Sequence, residues 1–118
     1  MKTEVVFIQG LNREITFYIG KNQNENFDVI DKGKPDDIWF HAKNISSCHV
    51  VTDIPVGSIQ NKKMLYYIIK TGALLCKQNT NKLKSQTKVE ISYTLCKNIT
   101  KTDVPGCILT TYSKTIVC

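Results

Sequence analysis

The sequence predicts an α+β fold in which a mostly antiparallel sheet carries one long helix. Three observations lead there. Short runs of β-branched and aromatic residues recur in both halves of the chain. Turn-forming residues separate them, as at Gly10-Leu11-Asn12-Arg13 and at Pro35-Asp36. Between the two sets of runs lies a single long stretch with helical apolar spacing, at about residues 59–78.

Taken in order, residues 3–9 (TEVVFIQ) and 14–19 (EITFYI) read as a hairpin around Gly10–Arg13. Residues 22–32 (NQNENFDVIDK) are polar, with Phe27 and Ile30 three apart and Gly33 just beyond, which reads as a short helix or turn. Residues 37–42 (DIWFHA) and 48–53 (CHVVTD) form two strands around a loop rich in Ser and Asn. Ser58 or Asn61 caps the long helix. At about 100° per residue, Met64, Leu65, Ile68, Ile69, Gly72, Leu75 and Cys76 fall in one arc, the core face. Lys63, Lys70 and Lys77 fall on the other side, with Tyr66, Tyr67 and Leu74 beside them. Residues 88–95 form a strand with Val89, Ile91 and Tyr93 alternating, residues 97–106 a turn, and residues 107–112 and 114–117 the closing strands.

A chain of 118 residues is expected to make a single domain spanning 1–118. No apolar run approaches the ~18 residues of a membrane helix, and the first residues lack the apolar stretch of a signal peptide. A cytoplasmic protein with no membrane partner is the expectation. The five cysteines (48, 76, 96, 107 and 118) show no Cys-x-x-Cys spacing, so free thiols in a reducing compartment are expected rather than zinc or disulfides. The net charge of +6 is unevenly placed: residues 1–54 carry 6 basic and 8 acidic side chains, residues 55–118 carry 10 and 2. The second half is therefore a candidate anion-binding surface. All but one of the cations are lysine, a point charge suited to phosphates rather than to base edges.

The densest chemistry lies in Asp37-Ile38-Trp39-Phe40-His41 and Ser46-Ser47-Cys48-His49. Alternation puts Asp37, Trp39 and His41 on one face. If the two strands pair, His41 and His49 stand opposite each other with Cβ atoms about 5 Å apart. Three readings are open: a metal site, an acid–base pair beside a Ser46 or Ser47 nucleophile, or a polar pocket for a base, sugar or phosphate with Trp39 as stacking platform. Gly20-Lys21-Asn22 leaves a strand for a polar turn where a ligand could approach the backbone, although the pattern is not a P-loop. Lys97, Lys101 and Lys114, with Lys82, Lys84 and Lys88, form a candidate basic rim.

These residues also carry a resemblance. Gly20-Lys21-Asn22-x-x-Glu25-Asn26, Asp37-Ile38-Trp39-Phe40-His41-Ala42 and Ser46-Ser47-x-His49-Val50-Val51 resemble the NFACT-R domain. So do Lys97-Asn98-Ile99-x-Lys101, Pro105-Gly106 and Lys114-Thr115-Ile116-Val117, so the likeness covers roughly residues 15–118. NFACT-R is the nucleic-acid-binding module of ribosome-associated quality-control factors and of bacterial fibronectin-binding adhesins. Stand-alone eukaryotic members, known as coiled-coil domain-containing proteins, share the run from Tyr18-x-Gly20-Lys21 through Ser46-Ser47. Members usually have a small residue where this chain has Cys48, which reads as a tolerated swap. The multidomain members carry a tRNA-engaging domain with no counterpart in this sequence, so their tailing of stalled nascent chains is not carried over.

The resemblance implies a non-enzymatic domain that binds nucleic acid, RNA rather than DNA, either tRNA or ribosome-associated. Lys21, Asp37, Trp39, His41, Ser47, His49, Lys97, Lys101 and Lys114 are the expected contacts, without metal or cofactor. The alternative is a module that docks on a ribosome or protein partner, with Tyr66, Tyr67 and Leu74 as apolar anchors; a His-based or metal-dependent hydrolase ranks below both.

Overall fold

The N-terminal hairpin forms where the alternation places it. Strands β1 (Lys2–Ile8) and β2 (Arg13–Gly20) pair antiparallel, from Lys2 opposite Ile19 to Ile8 opposite Arg13. The computed structural model describes residues 1–54, 56–104 and 107–118, so the expected turn residues Pro105 and Gly106 lie outside the described residues. The remaining strands are β3 (Ile38–Ala42), β4 (His49–Thr52), β5 (Glu90–Leu95), β6 (Ile99–Lys101), β7 (Ile108–Thr110) and β8 (Lys114–Val117). Six of them make one sheet in the order β1-β2-β4-β3-β5-β8, every neighbour antiparallel. Strands β6 and β7 form a separate two-stranded ribbon. The α+β expectation is met.

Side chains alternate across this sheet and the two faces are covered differently. Helix α2 (Lys62–Gln78) lies on one face, where Ile68, Ala73 and Cys76 join Phe17, Ile19, Phe40, Val50 and Ile91 in the main core. Helix α1 (Gln23–Lys32) and the β6–β7 ribbon cover the other. There Val29 packs with Trp39 and Val51, flanked by Tyr18, Ile30, Ile99 and Ile108. The polar segment at 22–32 is thus a true helix, held at its start by a side-chain cap. Asn22 Oδ1 accepts the Glu25 N–H at 2.9 Å, and Glu25 Oε1 accepts the Lys21 N–H at 3.1 Å.

Three details differ from the sequence expectation. Helix α2 starts at Lys62 rather than near 59, because Asn61 Oδ1 accepts the N–H groups of both Lys63 and Met64. Ala73 is buried although it lies outside the expected apolar arc. The expected turn at 97–106 contains β6, whose three residues pair with β7.

Candidate nucleic-acid interface

Strands β3 and β4 pair Trp39 with Val51 and Phe40 with Val50. Extending that register sets His41 against His49, and their rings meet edge to face with centroids 4.7 Å apart. The Trp39 ring lies parallel to His41, 5.7 Å between centroids and 4° between planes. Its Nε1–H donates to His49 Nδ1 at 3.2 Å. An indole N–H only donates, so Nδ1 is unprotonated and the neutral His49 ring carries its proton on Nε2. Burial, reinforced by the neighbouring His41, pushes the His49 pKa down to about 3. Burial also lowers that of His41; a hydrogen bond to the Ala42 backbone opposes the shift and the Lys82 charge adds to it. Both rings are neutral at pH 7.

This cluster sits at a cleft of about 440 Å³, walled by His41, His49, Asn44, Ser46, Ser92 and Thr110. Trp39 reaches the cleft but is only 3% exposed. Its faces are taken by His41 and the core around Val29 and Val51. The stacking platform expected at Trp39 is therefore corrected: the exposed aromatic surface belongs to His41, and Trp39 supports it from below.

Asp37 shares the strand face but not the cleft. Its Oδ2 accepts the Lys34 N–H at 2.9 Å, while Oδ1 is buried and, among the described residues, without a partner. Burial raises the pKa of this carboxyl. The nearby Cys96 thiol is pushed up to about 12, by burial first and the Asp37 charge second. Ser47 is also spoken for. Its Oγ accepts the Ala42 N–H and donates to the Cys48 carbonyl, both at 2.9 Å, so it locks the loop between β3 and β4.

A second polar cleft of about 440 Å³ adjoins the first, with Ser46 in both walls. Lys21, Lys82, Asn22, Asn26 and Asn81 line it. The amide of Asn26 accepts the His49 N–H at 3.2 Å, tying α1 to β4. A Cβ on Gly20 would come within 2.7 Å of Asn26 Oδ1 and 2.8 Å of the Glu25 carbonyl. The close approach expected at Gly20 is thus made by α1, not left for a ligand.

The expected lysines do not gather into one rim. Lys97 pairs with Asp36 at 3.5 Å. Lys101 pairs with Asp31 and lies over the Phe27 ring, 5.1 Å from its centroid. Lys114 stands on the α2 face, at an apolar cleft of about 310 Å³ with Leu65, Ile69 and Tyr112. Neither Lys21 nor Lys82 has a carboxylate partner among the described residues. Lys82, which the sequence places only in the outer basic rim, lines the second polar cleft. The signal for this was the buried Leu83, which turns its lysine neighbours outward. Among the described residues, no group of three His, Cys, Asp or Glu side chains converges, and no helix is long and apolar enough to cross a membrane.

Comparison with known proteins bears on this surface. Residues 5–116 match the family model described as NFACT protein RNA binding domain. The chain is 33% identical over 98 residues to the coiled-coil domain-containing protein 25 homolog of Dictyostelium discoideum, covering 83% of this chain and 47% of that protein. It is 36% identical over 90 residues to coiled-coil domain-containing protein 25 of Danio rerio, covering 74% and 42%. The chain thus spans less than half the length of these relatives. The C-terminal part of the fibronectin/fibrinogen-binding protein of Streptococcus suis superposes with a TM-score of 0.78 at 22% identity, over 99% of this chain and 45% of that one. That likeness is one of fold.

Proposed function

The chain belongs to the NFACT protein RNA-binding domain family, and we propose that it binds single-stranded or looped RNA, as in tRNA, without catalysing a reaction. His41, neutral and half-buried at an open cleft, carries this reading, with the buried His49 ring held against it. A neutral imidazole at His41 offers a flat face for stacking and a ring nitrogen for a base or a 2′-hydroxyl. The adjoining cleft supplies Lys21 and Lys82 for the phosphates on either side of that nucleotide. Lys97, Lys101 and Lys114 add charge without reading sequence, Trp39 and Ser47 hold the rings and loop in place, and Asp37 supports the strand from outside the cleft.

Replacing His41 tests the cleft. His41→Ala is expected to stay folded and keep the parent's salt dependence while losing its preference for RNA loops over duplex DNA. His41→Phe keeps the stack without the hydrogen bonds and is expected to recover affinity but not discrimination. Filter binding of labelled tRNA, single-stranded RNA and duplex DNA measures both. Parent-like discrimination in both variants sinks the cleft as the reading surface.

A second reading, docking on a ribosome or protein, is favoured by Tyr66 and Tyr67. They are 59% and 51% exposed on α2, away from both polar clefts. Tyr66→Ala with Tyr67→Ala leaves binding of naked RNA unchanged on the RNA reading and reduces ribosome co-sedimentation on the docking reading.

A further inference from the structure

Two cysteines that the RNA-binding reading does not use face each other beneath the Lys21 cleft. Cys48 precedes β4 and Cys76 lies in the last turns of α2, so they are distant in sequence and joined only by the fold. The Cys48 thiol donates to the Cys76 carbonyl at 3.2 Å, and the Cys76 thiol donates to the Cys48 carbonyl at 3.4 Å. Each sulfur thus lies against the other residue's backbone. Thr80 Oγ1 contacts the Cys48 sulfur at 3.4 Å and accepts the Cys48 N–H at 3.1 Å, fixing the cysteine from a third side. Cys48 is 5% exposed and lines the cleft that also holds Lys21 and Lys82, while Cys76 is fully buried behind it. The hydrogen bond from Cys76 pulls the Cys48 thiol below its ordinary pKa, and the same contact with burial holds Cys76 well above its own.

We propose that Cys48 and Cys76 are a peroxide-oxidisable thiol pair that closes to an intramolecular disulfide across β4 and α2. The cleft admits a molecule the size of hydrogen peroxide to Cys48. The Cys48 thiolate attacks one peroxide oxygen, the O–O bond breaks, and the departing hydroxide takes a proton to become water, leaving Cys48 as the sulfenic acid. The Cys76 sulfur then attacks the Cys48 sulfur, the S–O bond breaks, and a second water leaves with the Cys76 proton. Two thiols are oxidised by two electrons and one peroxide is reduced to two waters. The order follows from access: Cys48 meets the oxidant and Cys76 resolves it. This chemistry stands independently of RNA binding.

Peptide mapping after oxidation decides it. The reduced chain is treated with stoichiometric hydrogen peroxide in native buffer, alkylated with iodoacetamide in denaturant, and digested with trypsin. Residues 44–62 and 71–77 are expected as one linked peptide two hydrogens lighter than their sum, with alkylated thiols falling from five to three. Cys48→Ser should keep all four remaining thiols alkylatable under the same dose, whereas Cys76→Ser should lose alkylation at Cys48 alone, left as the unresolved sulfenic acid. Oxidation in concentrated urea should scatter linkages among the cysteines, because only the fold brings these two together. Five alkylated thiols after treatment overturn the proposal. So does oxidation confined to Cys107 or Cys118, or the 48–76 link at equal yield in urea.

Discussion

One hydrogen bond sets the state of the histidine pair. Because Trp39 donates to His49 Nδ1, a proton added there must displace the indole and sit in a buried space beside His41. Unfolded, His49 titrates near 6.5; folded, it titrates at about 3. Between those values the unfolded chain holds the extra proton, so acid favours unfolding. The stability this group contributes is complete above about pH 6.5 and falls by up to about 1.4 kcal/mol per pH unit below it. His41, also lowered, acts in the same direction. His49→Asn keeps an acceptor for Trp39 but does not titrate. Urea midpoints measured from pH 7.5 down to 4 should fall more gently in that variant than in the parent. Parallel profiles would mean that His49 is not buried neutral.

At the scale of elements, two glycines set how closely the helices approach the sheet. A Cβ on Gly72 would sit 2.3 Å from the Phe40 ring, which is fully buried. Alanine there gains about 1 kcal/mol of helix propensity. The forced shift of Phe40 costs about 1–3 kcal/mol, so Gly72→Ala is expected to lower the urea midpoint. At Gly20 the clashing atoms include the Glu25 carbonyl and Asn26 Cα. Backbone must move there, and Gly20→Ala should be the more damaging of the two. A raised midpoint in either variant contradicts this packing. The strands and α2 were legible because their apolar spacing is local: Ile38 and Phe40 alternate, and Ile68, Gly72 and Cys76 recur on one face. The His41–His49 meeting was legible because a short loop between two strands fixes their register. The burial of Trp39 was not. It depends on α1 and the β6–β7 ribbon covering the second face, and nothing in DIWFHA states what lies above it. β6 was missed because three residues, Ile99-Thr100-Lys101, are too few to show a period.

Across the whole molecule, the +8 of residues 55–118 is a sum, not a surface. Lys97 and Lys101 meet the acidic side chains Asp36 and Asp31 of the first half, Lys114 stands on the opposite face, and the pair near the histidines is Lys21 with Lys82. Exposed ion pairs are worth less than about 1 kcal/mol, yet they reduce the field a phosphate meets. Changing Lys21 and Lys82 together to alanine should therefore reduce the salt slope of RNA binding by up to about two units. Changing Lys97 and Lys101 together should reduce it by less; the reverse ranking moves the phosphate path to the α1 side. The most direct measurement for RNA binding itself is the affinity of the unmodified chain for labelled single-stranded RNA across a series of salt concentrations. About five lysine–phosphate contacts predict that log affinity for a single strand falls against log salt with a slope of about −3.5. Affinity that does not change with salt, or no binding at low salt, would contradict a nucleic-acid-binding function.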